Sequence, residues 1–174
     1  EIRLSLVGSE MCIRDRHKNA NGMRVITNLI RKLKGFEKSI PDILREGIEE
    51  NQEIILDYNT EAQLYEEGIT RDNVSIASYA PYSPMTIAIK KEKGQPTNRV
   101  TLRDTGDFEA SFFIDFTADG FEIKAGDWKA EKLMLGYGDE IIGLTDENLN
   151  DIIYHYLYPK VLNELKDKLN GKKN

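Results

Sequence analysis

The sequence predicts an α+β fold: a long N-terminal amphipathic helix, a small antiparallel sheet with a central hairpin, and a C-terminal helix. Three patterns carry this expectation. Ile40, Ile43, Leu44, Ile48, Ile55 and Tyr58 recur near the helical period of 3.6. From Ala110 to Ala125 the period changes to two, around Asp119-Gly120. A second helical pattern then runs from Thr145 through Leu149, Ile152, Ile153 and Tyr156 to Leu169.

Taken in order, Met23 to Lys34 reads as a basic, weakly apolar lead-in with Val25, Ile26, Leu29, Ile30 and Leu33 at helical spacing, ended by Gly35. Ser39 is expected to cap the long helix, with Pro41 and Asp42 in its first turn. Asn59 breaks or bends it. Thr60 and Gln63 then fit a capping box for a turn that stops at Gly68. Prolines and tyrosines between Ile69 and Pro84 indicate a loop, and Ser83-Pro84 starts a short helix over Met85 to Lys93 ended by Gly94, with Thr86, Ile87 and Ile89 leaving a strand as the alternative. Val100 to Leu102 is a short strand candidate. In the hairpin, Phe112, Ile114 and Phe116 alternate with Phe113, Asp115 and Thr117, and Phe121, Ile123 and Ala125 alternate back. Trp128 to Leu135 reads as a short helix and Gly136 to Glu140 as a turn. Thr145-Asp-Glu caps the closing helix, Pro159 bends or divides it, and Asn170-Gly171 ends it.

The chain of 174 residues, 40% apolar and 31% charged, suits an ordinary single core. Its formal net charge of −6 argues against a broad nucleic-acid clamp, which needs a Lys/Arg face to release counterions. No apolar run approaches the roughly 18 to 20 residues that span a bilayer, so no membrane partner is expected. Leu4 to Arg16 resembles a translated sequencing adapter, so residues 1–16 are set aside, with Met23 as one candidate start. The only cysteine, Cys12, goes with them, which leaves no disulfide or thiolate chemistry. The remainder divides into a lead-in over 17–38 and one domain over 39–170.

Little in the chain suits catalysis. Asp104-Thr105-Gly106 is half of an aspartic-protease dyad, which needs two carboxylates sharing a proton and would therefore require a dimer. Charged Arg103 and Asp107 flank it where that turn wants apolar and small residues. The structural alternative gives Asp104 and Thr105 turn hydrogen bonds and Gly106 a positive φ. With only His17 and His155 present, no His-based triad or metal site is expected, and His155 reads as a helix-surface residue. Asp139, Glu140, Asp146 and Glu147 could gather around a cation, but Thr145-Asp-Glu is what an ordinary helix start prefers, so no metal site is expected there. No cofactor is expected. Lys90, Lys91, Lys93, Arg99 and Arg103 form the one dense basic region, read as a solvated loop or as a contact for an acidic partner or DNA. Phe108, Phe112, Phe113 and Phe116 are read as sheet core.

With those residues in view, the chain resembles the phage virion morphogenesis, or tail-completion, family. Three segments carry the likeness: Gln63-Leu-Tyr-Glu-Glu-Gly-Ile69, Thr101-Leu-Arg-Asp-Thr-Gly-Asp-Phe-Glu-Ala-Ser111, and Ile142-Gly-Leu-Thr-Asp-Glu-Asn148. The middle segment matches a structural turn through Leu102, Asp104, Thr105, Gly106, Phe108 and Ser111, with Phe108 where the family more often has Leu. Ile142 stands where an aromatic is commoner, and Pro159 lies inside the last helix. The resemblance implies a non-enzymatic subunit of the virion tail or neck, assembled in the host bacterial cytoplasm. Its copies would form a ring, expected to be a hexamer, which completes the tail and joins it to tail-tube and neck or connector proteins. The loop 69–98 and the hairpin 112–123 are then the expected contacts, with Tyr79, Tyr82, Lys90, Lys91, Lys93, Arg99 and Phe113 as interface residues. The competing readings are the dimeric Asp-Thr-Gly protease and a DNA- or host-interaction module using the basic loop.

Overall fold

The structure, a computed structural model, describes residues 7–118 and 120–171, with side chains from residue 22 onward. Residues 1–6 of the adapter-like segment and Asp119 of the expected hairpin turn lie outside the described residues. The fold is α+β, with a long N-terminal helix, a two-stranded antiparallel sheet and a C-terminal helix. The order is α1 (Val7–Glu50), α2 (Gln52–Asp57), a π-helical segment (Tyr58–Glu67), α3 (Pro84–Glu92), α4 (Asp107–Ala110), β1 (Phe112–Phe116), β2 (Phe121–Ala125), α5 (Ala130–Tyr137), α6 (Asp146–Ile152), a second π-helical segment (Ile153–Leu157) and α7 (Tyr158–Asn170). The chain separates into two compact units, one of Glu1–Leu44 with Lys160–Asn174 and one of Arg45–Pro159.

In the first unit the expected stop at Gly35 and restart at Ser39 do not occur, because α1 runs through both and contains Pro41. A helix interior tolerates a glycine at about 1 kcal/mol, and a proline costs about 3 kcal/mol. Burial of Phe36 and Ile43 on either side offsets that cost. Ser39 does not cap; its Oγ donates to the Phe36 carbonyl at 2.8 Å. Lys32 Nζ donates to the Leu169 carbonyl near the end of α7 at 2.7 Å. Val25, Ile26, Leu29, Ile30 and Leu33 are exposed.

In the second unit the break falls at Asn51, earlier than the expected Asn59. Asn51 leaves helical geometry (φ −115°, ψ 21°), and its Nδ2 donates to the Gly47 carbonyl at 2.7 Å. Past Asp57 the winding widens until Gly68, in the left-handed region at φ 68°, stops it as expected. Thr60 is not a cap: its hydroxyl donates back to the Leu56 carbonyl at 3.0 Å. The loop that follows is pinned by an antiparallel bridge between Ile69 and Ser75. Ser83 caps α3 by accepting the Thr86 N–H at 3.1 Å.

Val100 to Leu102 is not a strand. The Thr101 N–H goes to the Tyr82 hydroxyl at 2.9 Å, and Leu102 turns to φ 57°, which ends the extended run. The hairpin forms in the expected frame, with Phe112 opposite Ala125 and Phe116 opposite Phe121. A helical turn, α4, intervenes before it, closed by the Ala110 N–H to the Gly106 carbonyl at 2.9 Å. Leu64, Ile76, Val100, Phe108, Phe112, Ala130, Ile141 and Ile142 make the core beneath it. Thr145 caps α6 through the Asn148 N–H at 3.2 Å, and Gly171 follows α7 at φ 75°. Pro159 is the second residue of α7 and neither ends nor divides the helical run: Tyr158 before it is helical (φ −61°, ψ −44°), and the widened turn Ile153–Leu157 directly precedes it, where the ladder is already displaced.

Candidate functional site

The three segments that carry the family likeness meet in the second unit. Two buried amides make the first junction. Asn59 Nδ2 donates to the Ile141 carbonyl at 3.3 Å and its Oδ1 accepts the Gly143 N–H at 2.9 Å. One turn on, Gln63 Nε2 donates to the Gly143 carbonyl, while its Oε1 accepts from the Thr145 N–H and from Asn148 Nδ2, all at 2.9 Å. Both side chains are fully buried. The irregular stretch from Ile141 to Thr145 has no sheet or helix partner for these backbone groups, so the amides satisfy them. Asn59 is therefore not a helix breaker, and Gln63 is not half of a capping box. Spacing alone gives no signal that two polar residues four apart share a buried face of a π-helical segment.

Two arginines make the second junction. Arg99 Nε donates to the Tyr65 carbonyl at 2.6 Å, and its guanidinium lies 3.5 Å from Glu66. Arg103 binds both carboxylate oxygens of Glu61 and reaches Glu109 at 3.3 Å, with its guanidinium 4.2 Å from the Tyr65 ring centroid. Glu109 is buried, and its Oε2 has no partner among the described residues. Gly68 is packed so tightly that a Cβ there would stand 3.0 Å from both the Arg99 Cβ and the Val100 carbonyl oxygen.

The predicted turn residues fall into place around this frame. Gly106 adopts φ 93° as expected. Thr105 Oγ1 donates to Asp107 at 2.7 Å, and Ser111 Oγ donates to the Phe108 carbonyl at 2.7 Å. Phe108 and Phe112 are buried edge to face with centroids 5.0 Å apart. Leu102 packs partly buried against the core. Asp104 differs from the expected turn acceptor: its exposed carboxylate pairs with Lys93, whose hydrogen bond holds the carboxyl below its ordinary range.

The basic region is not a solvated loop. Lys90 is buried, with Nζ donating to the Arg103 carbonyl at 2.6 Å and to Gln95 at 3.2 Å, and lying 4.9 Å from the Tyr82 ring centroid. Tyr82 in turn holds Thr101. Of the five cations only Lys91 is exposed with no side-chain partner among the described residues. Tyr79 is half-exposed, its hydroxyl donating to the Tyr137 carbonyl at 2.6 Å.

Of the four aromatics read as sheet core, Phe113 is the exception, at 45% exposure. It stands on the outer face of the hairpin with Asp115, Glu122 and Lys124, where Lys124 binds Asp115 and lies 3.2 Å from Glu122. Phe116 is half-buried under the Arg45 guanidinium, 4.5 Å from its ring centroid. Beside β2 runs a groove of about 800 Å³, with Arg71, Met134, Asp139, Ile142, Leu144 and Leu149 among the residues lining it. Asp146 and Glu147 occupy the first turn of α6, and His155 is exposed. Among the described residues no group of three or more His, Cys, Asp or Glu side chains is placed to hold a metal ion. No described helix is long and apolar enough to cross a membrane. No family model matches the chain, and the searches found no similar curated protein or solved structure.

Proposed function

We propose that the chain is a structural subunit of the phage virion, placed at the tail top or neck, whose copies form a ring that completes the tail and joins it to the head connector. The observation that carries this reading is the convergence of the three family-like segments on one frame. Gln63 ties the first to the third and Arg103, over the Tyr65 ring, ties the second to the first, while the flanking Asn59, Glu61 and Arg99 brace the same junctions. Their residues therefore have a shared structural reason to occur together, which three chance matches would not. The frame presents a hairpin with an exposed aromatic, Phe113, as an assembly element needs.

The protease reading has less support. A dyad acid needs a second carboxylate that raises one pKa, whereas Asp104 is exposed, paired with Lys93 and shifted downward. The DNA reading also loses its main resource, because four of the five cations are held by internal acceptors. Phe113→Asp tests the proposal: the variant is expected to stay folded by circular dichroism and to lose the ring in sedimentation with tail-tube protein. A Phe113→Asp chain that still forms rings removes the hairpin from the interface.

A further inference from the structure

The groove beside the hairpin is lined by five consecutive residues of β2, Phe121 to Ala125. Alternate residues of a strand face opposite sides, so a groove that touches all five runs along the strand edge rather than over one face. The ladder shows which backbone groups look into it. Thr117 N–H donates to the Gly120 carbonyl and Gly126 N–H to the Ser111 carbonyl, each at 3.0 Å, at the two ends of the hairpin. Antiparallel alternation then makes Asp115/Glu122 and Phe113/Lys124 the hydrogen-bonded pairs. The N–H and C=O groups of Phe121, Ile123 and Ala125 therefore point away from β1, and no backbone bond among the described residues outside the hairpin reaches them.

We infer that this edge pairs antiparallel with the same edge of a second copy, about a two-fold axis through Ile123, to make a continuous four-stranded sheet. The side chains select this partner and this register. With Ile123 opposite its own counterpart, the outward backbone groups meet as hydrogen-bonded pairs and Phe121 lies opposite the other copy's Ala125. Glu122 then lies opposite the other copy's Lys124, twice by symmetry, at the closer non-hydrogen-bonded positions. Sliding by one hydrogen-bonded step in either direction sets Glu122 against Glu122 or Lys124 against Lys124. An open edge beside an apolar groove is the kind that strand addition completes. A two-fold contact of this kind closes on itself. It does not rest on the ring reading and serves equally as a resting dimer or as a link between rings.

Sedimentation of the full chain, Glu122→Lys and the double Glu122→Lys/Lys124→Glu across a concentration series tests it. Glu122→Lys loses the exposed 3.2 Å contact with Lys124 of its own strand but faces Asp115 within its own hairpin, so an unchanged circular dichroism spectrum is expected while two like-charge pairs appear between copies. The wild type is expected to be dimeric, Glu122→Lys to need roughly ten- to hundredfold more protein to dimerise, and the double variant to return to the wild-type midpoint. A wild type that is monomeric throughout overturns the inference, as does an assembly whose mass ignores Glu122→Lys or a double variant that fails to recover. A ring that forms on tail-tube protein regardless of Glu122→Lys keeps the proposed function and leaves the edge contact to stand or fall on the dimer data.

Discussion

Gln63 is the residue on which most of the frame depends. Three bonds to Gly143, Thr145 and Asn148 end on one buried amide. Gln63→Leu keeps the volume and strands those partners, so a loss of about 2–4 kcal/mol is expected in urea denaturation. Arg103 works by charge instead. It is the only side-chain partner of buried Glu109 among the described residues, and Arg103→Met leaves that carboxylate uncompensated, at an expected cost of about 3–5 kcal/mol. Asp104 gives a pH signature. Its folded pKa lies below the unfolded value near 3.9, so its stabilisation is fully present above about pH 4–5 and fades as pH falls through the lowered value. Because the pair with Lys93 is exposed, the effect is about 0.2–1 kcal/mol, and Asp104→Asn should erase that part of the acid dependence in thermal melts. The role of Gln63 was hidden in the sequence for one reason. A buried amide and a surface amide have the same letter, and only the partner eighty residues away distinguishes them.

At the scale of elements, the legible parts were those set by local chemistry. The caps at Ser83 and Thr145, the stop at Gly68 and the hairpin alternation each depend on a few neighbouring residues, and each forms as read. The misread parts were those where tertiary contacts override local preference. Gly35 and Pro41 do not interrupt α1, and Val100 to Leu102 stays outside the sheet because Tyr82 takes the Thr101 N–H. Gly68 combines both kinds of reason. Its positive φ and the 3.0 Å approach to Arg99 and Val100 predict that Gly68→Ala loses about 1–3 kcal/mol, measured by chemical denaturation, with the first and second family-like segments loosened together.

For the whole molecule, the sequence made plain the helical ends, the central hairpin and the charge pattern. From Met23 to Lys34 every charged residue is basic. It did not reveal that the chain forms two compact units whose boundary falls inside the continuous helix α1, since no proline-, glycine- or serine-rich linker marks it. It also did not reveal that the basic region is internal, because lysine density says nothing about which carbonyls lie within reach. The central claim is that this frame is a building block that acts by assembling. Light scattering of the chain beginning at Met23, with and without tail-tube protein, tests it most directly. The account predicts that tube protein converts the free species into a discrete ring whose mass is a whole multiple of the subunit. A mass that stays the same at every ratio of tube protein would contradict it.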